Sequence, residues 1–219
     1  LNWLKVAAGA VPDIADALGD PAQLSYAHAA LPVQLQRGVR SFELDIFADP
    51  AGGTFSRPLL NQLLNLGLPR PQGVDAPGMK VLHIQDIDYR STCPTLVACL
   101  GQLKEWSDAT PGHLPVVINI ELKDDPLPAP FDATNLTPFD ATQLDAVDTE
   151  IRSVLGDRLI TPDDVRGDAA DLHTAVTTTG WPTVAASRGR FLFFMDNANK
   201  RATTLDPADP GFRPYHFAP

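Results

Sequence analysis

The order of apolar and polar positions divides the chain into alternating helical and extended segments. Residues 31–36 carry apolar side chains four apart, Leu31 and Leu35, and stop before Gly38, a residue suited to ending a helix. They feed into Ser41-Phe42-Glu43-Leu44-Asp45-Ile46-Phe47, whose alternation is that of a strand. Asp49-Pro50-Ala51-Gly52-Gly53 then forms a strong turn signal. Residues 54–78 read as a long connection with one or two helical turns over 59–66. Residues 79–85 read as a second strand with Val81, His83 and Gln85 on one face, followed by a polar segment over 86–92. The clearest helix is 94–108, with Pro94 at its first position and Leu96, Leu100, Leu103 and Trp106 as the buried stripe. Residues 115–122 read as a third strand, apolar on both faces except where Asn119 and Glu121 share one side. A helix over 140–155, a short strand over 159–161, a turn opening at Pro162, a helix over 169–179 and a strand over 190–195 complete the pattern, and residues 1–24 read as helical.

Helices alternating with strands in this way indicate an α/β fold with a parallel sheet, in one domain covering residues 1–219. The count is five strands. A doubly wound sheet is complete with five, whereas a barrel of eight would lack some, and periodicity leaves both open.

Composition adds three constraints. A net charge of −10 argues against a nucleic-acid partner, which is held by Lys and Arg. No apolar run approaches the roughly 20 residues of a membrane-spanning helix. The acidity is almost all Asp: Glu43, Glu105, Glu121 and Glu150 are the only glutamates, and two of them lie in predicted strands, where Glu is disfavoured. The two cysteines, Cys93 and Cys99, make no zinc site. A disulfide between them suits an exported protein but requires Cys93 to lie off the helix and fold back toward its second turn, because six helical residues rise about 9 Å.

Glu43 and Asp45 share one strand face. Two ionised carboxylates side by side repel, and a hard divalent cation compensates them; a plain solvated strand face is the other reading. In parallel α/β folds, sites gather at the carboxyl ends of strands, where Glu43, Asp45, His83 and Glu121 would all fall on three successive strands. Carboxylates for Ca²⁺ or Mg²⁺ and one imidazole for proton transfer suggest metal-assisted phosphoryl chemistry. The other histidines look structural or solvated: His28 in a capping or packing role, His113 at the wrong end of its strand, His173 on a surface helix and His216 in the tail. No Gly-x-Ser-x-Gly elbow or phosphate-cradling glycine loop is present.

Three stretches then resemble a known family. They are Gly38-Val39-Arg40-Ser41-Phe42-Glu43-Leu44-Asp45, Val81-Leu82-His83-Ile84-Gln85-Asp86-Ile87-Asp88-Tyr89-Arg90-Ser91-Thr92-Cys93 and Ile118-Asn119-Ile120-Glu121-Leu122-Lys123. Together they resemble the Ca²⁺-dependent phosphoinositide-specific phospholipases C of bacteria. Arg158-Leu159-Ile160-Thr161-Pro162-Asp163-Asp164-Val165-Arg166-Gly167 and Gly180-Trp181-Pro182-Thr183 extend the likeness over most of residues 25–197. The resemblance implies a TIM-type (β/α)8 barrel of the phospholipase C-like phosphodiesterase kind, incomplete in this chain. It implies Ca²⁺ held by Glu43, Asp45 and Glu121, His83 as the second catalytic histidine, and cleavage of phosphatidylinositol to diacylglycerol and a 1,2-cyclic inositol phosphate. Lys123 would neutralise substrate phosphate or simply pair with Asp124 or Asp125. A secreted or periplasmic monomer touching a membrane surface peripherally is the expected setting. A glycerophosphodiester phosphodiesterase and a non-catalytic calcium and inositol-phosphate binding module are the alternatives.

One departure matters. The family's His-Asn-Ser-Tyr-like motif, source of its first catalytic histidine and an asparagine ligand, has no counterpart before Glu43, and Leu1 is not Met. Both lead us to expect a partial chain. We therefore expect residues 1–219 alone to be weakly active or inactive; calcium-dependent cyclisation of phosphatidylinositol by this polypeptide would refute that.

Overall fold

The computed structural model describes residues 26–63, 65, 67–127 and 133–195. The helix expected over 1–24, His216 and the tail lie outside them. The elements are α1 (Leu31–Gln36), β1 (Ser41–Phe47), α2 (Leu59–Leu63), β2 (Lys80–Val81), α3 (Leu96–Ala109), β3 (Val116–Leu122), α4 (Ala141–Leu155), α5 (Pro162–Arg166), α6 (Leu172–Thr178) and β4 (Phe191–Met195). Among the described residues four strands form one sheet in the order β2-β1-β3-β4. β1, β3 and β4 run parallel, as the alternation requires, while β2 is antiparallel to β1.

Among the described residues, helices cover the sheet on one face. Phe42, Leu44 and Ile46 of β1, Val116, Ile118, Ile120 and Leu122 of β3, and Phe191 and Phe193 of β4 are buried there. They pack with Leu31 and Leu35 of α1, Leu96, Leu100, Leu103 and Trp106 of α3, and Leu144, Val147 and Ile151 of α4. Each such side chain withdrawn from water contributes about 1.5–3 kcal/mol before entropy is counted. On the opposite face Glu43 is exposed, and Asp45, Val117, Asn119 and Glu121 are only half-buried. β3 is therefore not equally covered on both sides.

Local signals set most element ends. Gly38 has φ 96°, its N–H bonds the Leu35 carbonyl at 3.0 Å, and the Val39 N–H reaches the Gln34 carbonyl at 3.1 Å. This pairing closes α1 with a left-handed residue that suits glycine. Asp140 caps α4 by accepting from the Gln143 N–H. At α3 the cap is Thr95, which accepts from the Ala98 N–H, so Pro94 precedes the helix and is not its first residue. The Pro94 carbonyl instead accepts from the Val81 N–H at 3.0 Å, holding that segment extended against β2. Cys93 lies outside α3 and is bonded to Cys99, their Cα atoms 5.0 Å apart.

Two expected strands are shorter. The strand over 79–85 is paired only at Lys80 and Val81, because the chain then curls into a turn in which the Asp88 N–H bonds the Ile84 carbonyl at 2.9 Å and Asp86 takes φ 68°. The strand over 159–161 reduces to one bridge, Leu159 with Phe191, as the Thr161 hydroxyl and Asp164 carboxylate form a reciprocal cap that starts α5 immediately.

The edge of the sheet beside β1 is pinned by a buried ion pair. Lys80 and Asp49 are both fully buried, Nζ 3.2 Å from Oδ2. Lys80 also donates to the Ala76 and Gly78 carbonyls at 2.6 and 2.8 Å, and the Thr54 hydroxyl donates to the other Asp49 oxygen. The ammonium thus donates to two carbonyls, and its contact with Asp49 Oδ2 is one of charge, since that buried oxygen accepts no hydrogen bond among the described residues. Replacing one partner strands the other, so Lys80→Met is expected to destabilise the fold by about 3–5 kcal/mol, read by urea denaturation. Replacing both, as Asp49→Leu/Lys80→Met, should recover part of that loss.

Candidate metal centre and its histidine

Strand register builds the centre. Asp45 lies opposite Glu121, and Glu43 opposite Asn119, across the parallel β1–β3 ladder. The period of two puts all of these on the uncovered face. One oxygen each of Glu43, Asp45 and Glu121 lies within 4.8 Å of the others. Lys123, just past β3, sends Nζ to 2.8 Å from Glu121 Oε2 and 3.5 Å from Asp45 Oδ2. The expected alternative pairing of Lys123 with Asp124 or Asp125 is thus replaced by the carboxylates of the cluster, because the side chain returns to the same sheet face.

The charges influence one another. Burial pushes the Asp45 carboxyl up to about 6; Lys123 opposes this, Glu121 and Glu43 add to it, and His83 opposes it. Burial works against the Lys123 ammonium, but its hydrogen bond to Glu121 and the charge of Asp45 hold its pKa above the usual lysine range. Three carboxylates and one ammonium leave two negative charges on hard oxygen donors, which is what a divalent cation such as Ca²⁺ matches. The donor set fits calcium.

His83 reaches this centre differently from the expectation. It does not stand at the end of a parallel strand but on the turn that follows β2, where the Leu82 N–H bonds the Asp45 carbonyl at 3.3 Å. His83 Nδ1 lies 3.0 Å from Asp88 Oδ2. That hydrogen bond raises the imidazole pKa, burial opposes it, and the Asp45 charge adds to the rise. Gln85, read as a companion on the same strand face, is instead buried and donates to the Asp125 carbonyl at 3.0 Å.

Two nearby groups were not singled out from the sequence. Asp88 sits in a stretch with no side-chain period, where only its distance of five residues from His83 was available as a signal. Tyr26 is exposed, yet burial together with the charges of Asp88, Asp45 and Glu43 raises its phenol pKa, which places it beside the centre. His28 packs edge-on against Tyr26, centroids 5.2 Å apart, and does not cap α1, whose N-cap is Ala30 with no side-chain hydrogen bond. His113 is a buried structural group: Nε2 is 2.7 Å from the Ser107 hydroxyl and Nδ1 is 2.6 Å from the Leu114 carbonyl. His173 is exposed on α6.

In the metal-free protein the raised Asp45 pKa has a defined sign. Its folded value near 6 lies above the unfolded value near 3.9, so folding favours the protonated form. The stabilisation is complete below the unfolded pKa and is lost as pH rises through about 6. In chelator, the melting temperature of the wild type relative to Asp45→Asn should therefore rise on acidification from pH about 7 to 4, by the equivalent of up to about 3 kcal/mol. A difference independent of pH would contradict the assignment.

Comparison with known proteins agrees with the geometry. The family described as phosphoinositide phospholipase C, Ca²⁺-dependent, matches residues 9–211. A Ca²⁺-dependent phosphatidylinositol-specific phospholipase C from Streptomyces antibioticus superposes with a TM-score of 0.50 at 25% identity, over 74% of this chain and 46% of that one. A calcium-dependent phosphoinositol-specific phospholipase C from a Gram-negative Pseudomonas sp. gives 0.53 at 21% identity, over 81% and 54%. The chain spans about half the length of these structures. No curated protein matches. The described sheet is part of a phospholipase C-like (β/α)8 barrel whose helices cover one face and whose acidic residues lie on the other. The chain belongs to the Ca²⁺-dependent phosphoinositide phospholipase C family.

Proposed function

We propose that Glu43, Asp45 and Glu121 hold Ca²⁺ and that His83 and Lys123 serve the cleavage of phosphatidylinositol at the same place. The observation that carries this reading is the convergence of three carboxylates from two strands, with donor atoms within 4.8 Å, beside an imidazole of raised pKa. When bound, the cation would lower the pKa of the inositol 2-hydroxyl and offset charge on a phosphoryl oxygen.

In the reaction proposed, the 2-hydroxyl oxygen forms a bond to phosphorus while the bond from phosphorus to the glycerol oxygen breaks. The hydroxyl proton is given up, the diacylglycerol oxygen gains one, and a 1,2-cyclic inositol phosphate remains. His83 is the residue suited to the second transfer or to donating a hydrogen bond to the crowded phosphoryl group, because its pKa is raised and it stands next to Asp45. Lys123 holds Asp45 and Glu121 apart from full mutual repulsion and supplies positive charge where a phosphate would approach. Family membership supports a phosphodiesterase over a binding module, and release of cyclic product separates it from a glycerophosphodiester phosphodiesterase. Secretion and peripheral contact with a lipid surface belong to the same proposal.

Calcium titration followed by thermal melting tests the centre directly. Calcium should raise the melting temperature of the wild type, by about 2.7 kcal/mol of added stability at a hundredfold excess over Kd. Asp45→Ala should abolish the rise, whereas His83→Gln should keep it and lose cyclic product formation from phosphatidylinositol vesicles in any active form of the protein. A calcium response that survives Asp45→Ala would refute the assignment.

A further inference from the structure

The turn that carries His83 is built so that its shape does not depend on the Asp88 side chain. The His83 and Ile84 N–H groups both bond the Asp88 carbonyl, at 3.2 and 3.1 Å, and the Asp88 N–H returns to the Ile84 carbonyl. Asp86, buried at the tip, accepts from the Leu59 N–H at 2.8 Å, the Thr134 N–H at 2.6 Å and the Thr134 hydroxyl at 2.9 Å. Gln85 ties the turn to the segment after β3. With the backbone fixed by these bonds, the Asp88 carboxylate is left with one hydrogen-bonding partner among the described residues, Nδ1 of His83. Both side chains are partly exposed, at 37% for His83 and 22% for Asp88, a setting in which an ion pair adds little to stability.

We propose that Asp88 is a positioning residue that fixes the tautomer of His83. An ionised carboxylate only accepts, so its partner nitrogen must carry the proton. Nδ1 is therefore the protonated nitrogen of the neutral ring, and Nε2 is the one presented for exchange with substrate. The ring plane is held by the same bond. This is the arrangement in which a carboxylate serves a reacting imidazole without itself taking the proton. The functional half of the proposal rests on the reading of His83 as the reacting group; the tautomer does not.

Nitrogen-15 NMR of the imidazole rings tests it, in the whole chain, at a pH where His83 is neutral. His113 supplies an internal standard, because the Leu114 carbonyl 2.6 Å from its Nδ1 also only accepts and so demands a proton there. His83, assigned by loss of its signals in His83→Gln, should show the same Nδ1–H pattern as His113. Asp88→Ala should move it to the Nε2–H form or to a mixture, and Asp88→Glu should restore Nδ1–H at least in part. Unchanged amide signals for Ile84, Gln85 and Asp86 in Asp88→Ala would show that the turn is intact. Should that variant lose the turn, the wild-type pattern and the Asp88→Glu pattern still decide. An Nε2–H ring in the wild type, or an Nδ1–H ring that persists in Asp88→Ala, overturns the proposal even if calcium binding is normal. Loss of calcium binding with the Nδ1–H pattern intact would instead sink the metal assignment and leave Asp88 in place. In an active form, Asp88→Ala should lower kcat more than it alters KM, forfeiting part of the roughly 10²–10⁴-fold that a positioned acid or base supplies.

Discussion

Repulsion among Glu43, Asp45 and Glu121 is the constraint around which the rest of the structure is arranged. The parallel register of β1 and β3 leaves these groups no freedom to separate, since Asp45 and Glu121 are direct partners across the ladder. The sheet must therefore be held together from its other side. There the apolar residues of three strands are sealed by α1, α3 and α4, and that burial offsets the electrostatic cost of the acidic face. Lys123 relieves part of the repulsion, and the Asp45 pKa is raised first by burial and then by what remains of the neighbouring Glu121 and Glu43 charges. A site destabilised in this way is one a cation stabilises on binding.

The imidazole is delivered by a different device. A strand fixes side chains in alternating directions at a spacing of about 3.3 Å per residue, which suits a rigid ligand cage but cannot bring a sixth or seventh residue back over the first. The turn after β2 does so. Its base is anchored by the buried Lys80–Asp49 pair, its tip by Asp86 and Gln85, and its exit by the Cys93–Cys99 bridge on α3. Each anchor reaches a different element, so the position of His83 depends on long-range contacts rather than on its neighbours in sequence.

This contrast explains what could be read from the amino acids alone. The β1 face, the stripe of α3, the stripe of α4 and the cap of α1 all follow from periodicity and a few punctuating residues, and each lies where the pattern put it, within a residue or two. That Asp45 and Glu121 share one end of the sheet was legible as acids near the carboxyl ends of strands; their direct pairing was not, because the strand of His83 was read between theirs in succession and lies instead on the other side of β1. The curl over residues 83–88 was not, because it is held by an aspartate at positive φ, by a buried carboxylate bonded to residues 59 and 134, and by a glutamine amide bonded to residue 125. None of these partners is within reach of a local window. Lys80 is hidden from the sequence for a similar reason: only its partner Asp49, across the long connection, makes this lysine a core residue.

The two devices also differ in how they respond to change. The acidic cluster is set by backbone register, which a side-chain substitution on that face leaves intact, so removing one carboxylate subtracts an oxygen donor without moving the others. The His83 turn has no such ladder beneath it beyond Lys80 and Val81, and its geometry is the joint product of several separate bonds. Substitutions far from the ring, at Asp86 or Gln85, therefore act on its placement through the turn, while those at Asp88 act on the ring directly, through the bond to Nδ1. Charge density belongs to the sheet and proton placement to the turn, and the close coupling of Asp45 to His83 is where the two meet.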